Sequence, residues 1–401
     1  MASLNFDHHR SPEVLIQDFN SYVRTLILNR PRYLNALSGE MLSQLLQLFL
    51  ADEHDAKVKL VILKGNGKAF SVGGDIAEVA RLLDSGDWRL GLKATAEVSK
   101  LIYLIATYSK PQLSIANGMA MGRGAALYVS SRFRMATENS IFSMPETALG
   151  AVPETGASYF LSRLPRFFGE YLALTGAQLD GSEMLACGIA THFVPAAKLV
   201  LLEQELLAST GALTSSCDDL VSYVSSIISN YSIQPALKER GSAWHNMDVI
   251  EKCFSKSTVQ EVVSALEKEA TDDIDDGHVN GGNNPWLTST IESLKKASPI
   301  SLKIALRSIR EGRSQGLGEC LVREYRIACR IARGEISTDF REGLSALLVD
   351  RDRIKKWEPC KLELLSDQMV DRYFSKLEND DEELKELELP ARSNSPAFAK
   401  L

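Results

Sequence analysis

Short apolar runs that each end in a glycine- or asparagine-bearing turn, with amphipathic stretches between them, set the strongest limit on how this chain folds. Tyr22 to Leu28 is β-branched and apolar and closes on Asn29-Arg30-Pro31. Val58 to Leu63 ends in Gly65-Asn66-Gly67, and Gln112 to Ala116 ends in Asn117-Gly118. Between the first two, Met41, Leu45, Leu48 and Phe49 recur at helical spacing over Met41 to Leu50. Alternation of period-two and period-3.6 segments predicts an α/β layer architecture. From about Ala208 onward helical patterns dominate, including Val259 to Ala270 and Ser301 to Arg310, the latter just after Pro299. Asp272 to Pro285, rich in Asp, Gly and Asn, is expected to be a loop, and the acidic run Glu378 to Glu388 a solvated face or a disordered tail.

Composition narrows the functional classes. Hydrophobic residues make up 45% and charged residues 24%, with a formal net charge of -7. That balance describes a globular chain and favours neither nucleic acid nor an anionic membrane as partner. No apolar run approaches the roughly 20 residues of a bilayer span. The six cysteines form no CxxC pair and do not cluster with histidines, so they read as thiols and no metal site is expected. Met1 to Pro12 has neither an apolar core nor an Arg-rich amphipathic pattern, which argues against a secretory signal or mitochondrial presequence. The last residues, Ala399-Lys400-Leu401, are one hydroxyl away from the Ser-Lys-Leu peroxisomal address. The sequence alone therefore predicts a peroxisomal protein, with an import receptor as partner at that end.

Two glycine turns each join a strand to a helix: Lys68 to Asp75, containing Val72, Gly73 and Gly74, and Asn117 to Gly124, containing Gly122 and Arg123. Amides in the first turn of a helix have no partner within it and carry positive potential. Two of them aimed at one point form an oxyanion hole. A third segment, Met144 to Ala157, carries Glu146 and Glu154, each directly after a proline. Proline then glutamate also suits an ordinary helix start. It is the order of turn, turn and paired carboxylates that favours catalysis.

Those segments, together with Asn29-Arg30-Pro31, Leu34-Asn35-Ala36-Leu37, Met144-Pro145-Glu146-Thr147, Asp339-Phe340, Glu342-Gly343 and Lys355-Lys356-Trp357, resemble the crotonase superfamily from about Val14 to Glu358. Within it, Phe160 to Leu164 and Ala190-Thr191-His192-Phe193-Val194 look most like the 3-hydroxyisobutyryl-CoA hydrolases, with His192 read as structural. The resemblance implies a spiral of repeated ββα units. It also implies an acyl-CoA-binding core over 1–205, a mainly helical region over 206–375 and a flexible acidic tail over 376–401. It implies thioester hydrolysis of 3-hydroxyisobutyryl-CoA, an intermediate of valine breakdown. The carbonyl would be held at the amides of Val72 and Arg123, beside Gly73 and Gly122, with Glu146 as main catalytic carboxylate and Glu154 assisting. Coenzyme A would enter as part of the substrate, with no separate cofactor. A homo-oligomer is an open option, since superfamily relatives often form trimers or hexamers. Hydratases carry a further glutamate where this chain has Ala126, which favours hydrolysis over hydration. Three positions depart from the pattern: Arg123 stands where glycine is usual, Glu154 where aspartate is usual, and Val98 where a substrate-contacting glutamate is usual. They motivate an alternative, a catalytically impaired acyl-CoA-binding or assembly protein of the same fold.

Overall fold

In the computed structural model the described residues are 12–17, 22–209, 217–237, 242–275, 284–350, 355–377 and 385–394. Two sheets form the first half. One runs in the order β1 (Val14–Gln17), β2 (Val23–Leu28), β3 (Leu60–Gly65), β5 (Gln112–Ala116), β7 (Phe133–Ala136), β10 (His192–Phe193), and the other β4 (Ala69–Ser71), β6 (Met119–Met121), β8 (Ile141–Ser143), β9 (Leu179–Asp180). Pairing is parallel throughout except β1 with β2 and β8 with β9. Each successive strand pair, β3–β4, β5–β6 and β7–β8, sends its first member to the larger sheet and its second to the smaller one, and helical structure follows. This is the repeated ββα unit.

Helices α1 (Gly39–His54), α2 (Ile76–Asp84), α3 (Trp88–Ala106), α4 (Arg123–Val129), α5 (Ala157–Leu161), α6 (Phe168–Thr175) and α7 (Gly181–Ala186) belong to this part. They are followed by α8 (Leu199–Ser209), α9 (Cys217–Tyr231), α10 (Met247–Phe254), α11 (Val259–Asp275), α12 (Pro285–Lys296), α13 (Pro299–Gly312), α14 (Leu317–Arg333), α15 (Asp339–Ser345) and α16 (Asp367–Phe374). Alternation within β3 explains how the large sheet is covered on both faces. Leu60 and Ile62 pack with Leu202, Leu206, Val224 and Ile228 of α8 and α9, whereas Val61 and Leu63 join the main core with Leu45, Phe49, Leu101 and Ile105 of α1 and α3. Burying each such side chain contributes roughly 1.5–3 kcal/mol.

Three expectations change in detail. The loop expected from Asp272 is helix as far as Asp275, because α11 continues; α12 then starts at Pro285, and 276–283 fall outside the described residues. Pro299 is the first residue of α13, its missing N–H costing nothing there, while Ser298 caps that helix by accepting from the Ser301 amide at 3.2 Å. The tail expected to be flexible docks over 385–394. There Leu387 is buried, Glu386 pairs with Arg326 at 2.7 Å, and Arg392 bonds to Glu53 and, at 3.2 Å, to the Thr107 carbonyl. Apolar Leu387 and Leu389 within the acidic run give that segment something to bury.

The smaller sheet and α4 meet at Gly124. A Cβ at this position would stand 2.4 Å from the Ser71 carbonyl oxygen, so only glycine lets the two turns close on each other. Gly124→Ala is expected to destabilise the protein by about 1–3 kcal/mol, read as a lower urea midpoint with unchanged slope.

Candidate active site

The first glycine turn is held from outside by the Asn-Arg-Pro and Leu-Asn-Ala-Leu motifs. Arg30 pairs with Asp75 at 2.8 Å and donates to the Ala36 carbonyl at 2.6 Å; the Asn35 side-chain Nδ2 donates to the carbonyls of Asn66 at 2.9 Å and Ala69 at 2.8 Å. The Leu37 amide donates to the Gly73 carbonyl at 2.7 Å, and Asp75 caps α2 by accepting from the Glu78 amide at 3.1 Å. Gly73 takes φ +104°, a region other residues avoid. Its N–H donates to Ser71 Oγ at 3.3 Å.

The second turn has Gly122 at φ +51°, its amide donating to the Ser143 carbonyl at 3.0 Å. Arg123 is the first residue of α4, so its amide has no carbonyl partner in its own helix. The turns abut: a Cβ on Gly73 would lie 3.5 Å from the Arg123 nitrogen. One expected donor is differently engaged. The Val72 amide donates to the Leu34 carbonyl at 3.2 Å, toward the long end of the normal range, because the chain doubles back along Leu34 to Leu37.

Glu146 opens a single 3₁₀ turn (Glu146–Leu149) directly after β8. Its Oε1 lies 3.1 Å from where a Cβ on Gly122 would stand, so glycine there is what admits the carboxylate. Although the residue as a whole is only partly buried, Oε2 is shut off from solvent and has no hydrogen-bond partner. Burial, with the neighbouring Glu154 carboxylate as a further charge, pushes the Glu146 pKa up to about 8. The turn is backed by α15: a Cβ on Gly343 would stand 2.3 Å from the Leu149 carbonyl oxygen, and one on Gly150 2.3 Å from that of Asp339. Buried Asp339 accepts from the Ser298 hydroxyl at 2.6 Å and the Glu358 amide at 2.9 Å. The Asp339-Phe340 and Glu342-Gly343 segment thus buttresses the turn that carries Glu146.

The Arg123 guanidinium selects Glu154, with Nε 2.5 Å from its Oε1, and donates through Nη2 to Thr95 Oγ1 at 2.8 Å. Val72, Gly73, Gly122, Arg123, Glu146 and Glu154 all line one pocket. Val98 does not. It is fully buried in the core, since the pocket-facing stripe of α3 is Trp88, Gly91, Leu92 and Thr95, and position 98 lies beyond the pocket's end. Sequence reasoning missed Thr95, three residues along the same helix, and the apolar wall formed by Ile76, Val79 and Leu83 of α2, Ala328 and Ile331 of α14, and Phe340 of α15. Helical periodicity within α3 was the available signal for Thr95; the wall comes from segments far apart in the chain. Ala126 is buried in α4 and His192 lies in β10 against Thr191, both outside this pocket. Among the described residues no group of three metal-ligating side chains occurs, and no helix is long and apolar enough to cross a membrane.

The family description Enoyl-CoA hydratase/isomerase matches residues 23–374. The 3-hydroxyisobutyryl-CoA hydrolase 1 of Arabidopsis thaliana is 54% identical over 386 residues, covering 96% of this chain and 96% of that protein. A protein of Gallus gallus named 3-hydroxyisobutyryl-CoA hydrolase, mitochondrial, is 37% identical, covering 89% of this chain and 87% of its own. Among solved structures, a carnitinyl-CoA dehydratase from Mycobacterium thermoresistibile has a TM-score of 0.80 at 26% identity, covering 94% of this chain and 99% of that one. These bear out the crotonase fold. They correct the peroxisomal expectation, and with it the import receptor: the chicken protein, its mouse counterpart and an Arabidopsis hydrolase-like relative are all named mitochondrial. Three terminal residues are a small basis beside likeness along the whole chain, and Ala399 to Leu401 lie outside the described residues.

Proposed function

This chain belongs to the enoyl-CoA hydratase/isomerase family, in its 3-hydroxyisobutyryl-CoA hydrolase branch, and on that premise we propose that it cleaves 3-hydroxyisobutyryl-CoA to 3-hydroxyisobutyrate and free CoA. The observation that carries the mechanism is the unpartnered, solvent-shielded Oε2 of Glu146 at the junction of two glycine turns. A base is most effective when its pKa lies near the working pH, and a value of about 8 meets that condition. In our reading the thioester oxygen sits on the Arg123 amide and on that of Val72, which shares its proton between Leu34 and the substrate. Glu146 takes a proton from water as the water oxygen attacks the carbonyl carbon. The C–S bond then breaks, and the proton passes to the departing thiolate. Glu154, tethered by Arg123, steers that transfer. Ala126 offers no second acid or base for hydrating a double bond, which supports hydrolysis. The substrate's chemistry places the reaction in valine breakdown. Crotonase folds are commonly oligomeric, and we propose the same here.

The test is release of CoA thiol from 3-hydroxyisobutyryl-CoA by purified protein, with crotonyl-CoA hydration measured in parallel. Thiol release without hydration is expected; hydration without thiol release would overturn the assignment. No step calls on a metal, so dialysis against EDTA is expected to leave the rate unchanged.

A further inference from the structure

Glu154 reaches the pocket from a strained turn. Thr155, immediately after it, is β-branched yet has φ +59°, a conformation such a residue adopts only when its surroundings enforce it. Gly156 follows at φ +90°. The enforcing group comes from a distant part of the chain. Glu324, on α14, is 2% exposed and accepts from the Gly156 amide at 2.5 Å and the Ser158 amide at 2.7 Å. Both donors lie at the start of α5, where backbone amides lack partners of their own. Arg323, next to Glu324, donates to Ser158 Oγ at 2.8 Å and to the Ser308 carbonyl at 2.8 Å, fastening the same turn from its other side.

We propose that Glu324 is a positioning residue for the reaction: its carboxylate clamps the Gly156–Ser158 turn and so sets where Glu154 stands relative to Glu146. The proposal rests on the hydrolase reading above. Four, seven and eight residues further along α14, Ala328, Ile331 and Ala332 line the pocket. The helix that walls the pocket is therefore the one that holds Glu154 in place. The charged groups acting on Glu146 are Glu154, Arg123 and Glu324, and the charge of Glu324 adds to the upward push on its pKa.

Glu324→Gln keeps the shape but offers one acceptor where two amides need one each. The expected result is a kcat lowered about 100-fold, the cost of roughly 1 Å of misplacement, with KM within a few-fold. The acidic limb of the kcat–pH profile moves to lower pH because one negative charge near Glu146 is gone. Glu324→Asp, which keeps the charge but falls a methylene short, is expected to lower kcat with the limb in place. A folded Glu324→Gln protein with wild-type kcat and an unmoved limb, differing only in Tm, would reduce Glu324 to a structural role and overturn the proposal. Absence of turnover in the wild type would instead defeat the hydrolase reading. Amide exchange at Gly156 and Ser158 then still decides the clamp: protection lost in Glu324→Gln upholds it, and protection kept overturns it.

Discussion

Glu146→Gln is expected to lower kcat for CoA release by about 10³- to 10⁴-fold, and at the same time to make the folded protein harder to melt in alkaline buffer. The first effect follows from removing the base: glutamine has almost the same shape but cannot take a proton from water. The second follows from linkage. The folded Glu146 pKa of about 8 lies above its ordinary value of 4.5, so between those pH values the folded chain binds more protons than the unfolded chain. The stability contributed by the protonated form is therefore complete below about pH 4.5, is lost as pH rises toward about 8, and changes no further above that. Glutamine never ionises and escapes the loss. The Tm difference between variant and wild type should be small near pH 5, grow with pH and level off above about 8. The same titration gives the wild-type rate an acidic limb near pH 8, absent from any residual rate of the variant. Equal Tm differences at pH 5 and pH 9 would show that Glu146 ionises normally.

Arg123→Ala comes next in size. It leaves Glu154 beside Glu146 without its cation and Thr95 Oγ1 without its donor. Removing one partner of a fully buried pair costs about 3–5 kcal/mol. This pair keeps 18% and 14% side-chain exposure, so some solvent screening remains and a loss of about 2–3 kcal/mol is expected. The backbone amide survives, and with it the oxyanion contact proposed for it. The charge does not survive: Arg123 holds the Glu146 pKa down, and its loss sends that pKa higher. The acidic limb moves to higher pH, and the rate near pH 7 falls about tenfold for each unit of displacement. Arg123→Lys restores the charge without the two-pronged geometry and should recover the limb better than the stability. A rate near pH 7 that rises in Arg123→Ala would mean that the guanidinium holds Glu154 out of the reaction.

Much of this was legible because it is local. The turns at Gly73 and Gly122, the proline–glutamate pairs and the alternation of strand and helix are written over a few residues each, and each forms as its own residue types dictate. What escaped was decided between segments. Nothing near Arg123 in sequence says that its guanidinium will choose Glu154 over Glu146, since that depends on how α4 faces the chain after β8. Val98 was placed by correspondence with relatives, yet it shares a helix face with Thr95 and lies past the end of the pocket, buried in the core. Val72 was read as a free amide donor, although the Leu34 carbonyl, well before it in the chain, already accepts from it. The tail misled because its acidic residues outnumber its apolar ones, whereas Leu387 together with the Glu386 and Arg392 contacts is enough to dock it.

The buttress behind Glu146 has a bearing on how the protein is made. β8 and the Glu146 turn leave the ribosome long before α15, which supplies the close backbone contacts at Gly150 and Gly343, and the sheets pair mostly in parallel, with β1–β2 the one local hairpin among the described strands. For close to half of its synthesis a growing chain therefore carries the Glu146 turn without the helix that backs it. Reactivity toward thioesters is expected to switch on late and all at once, when the last helices arrive, and a chain cut short before Asp339 should be inert however well its strands have assembled.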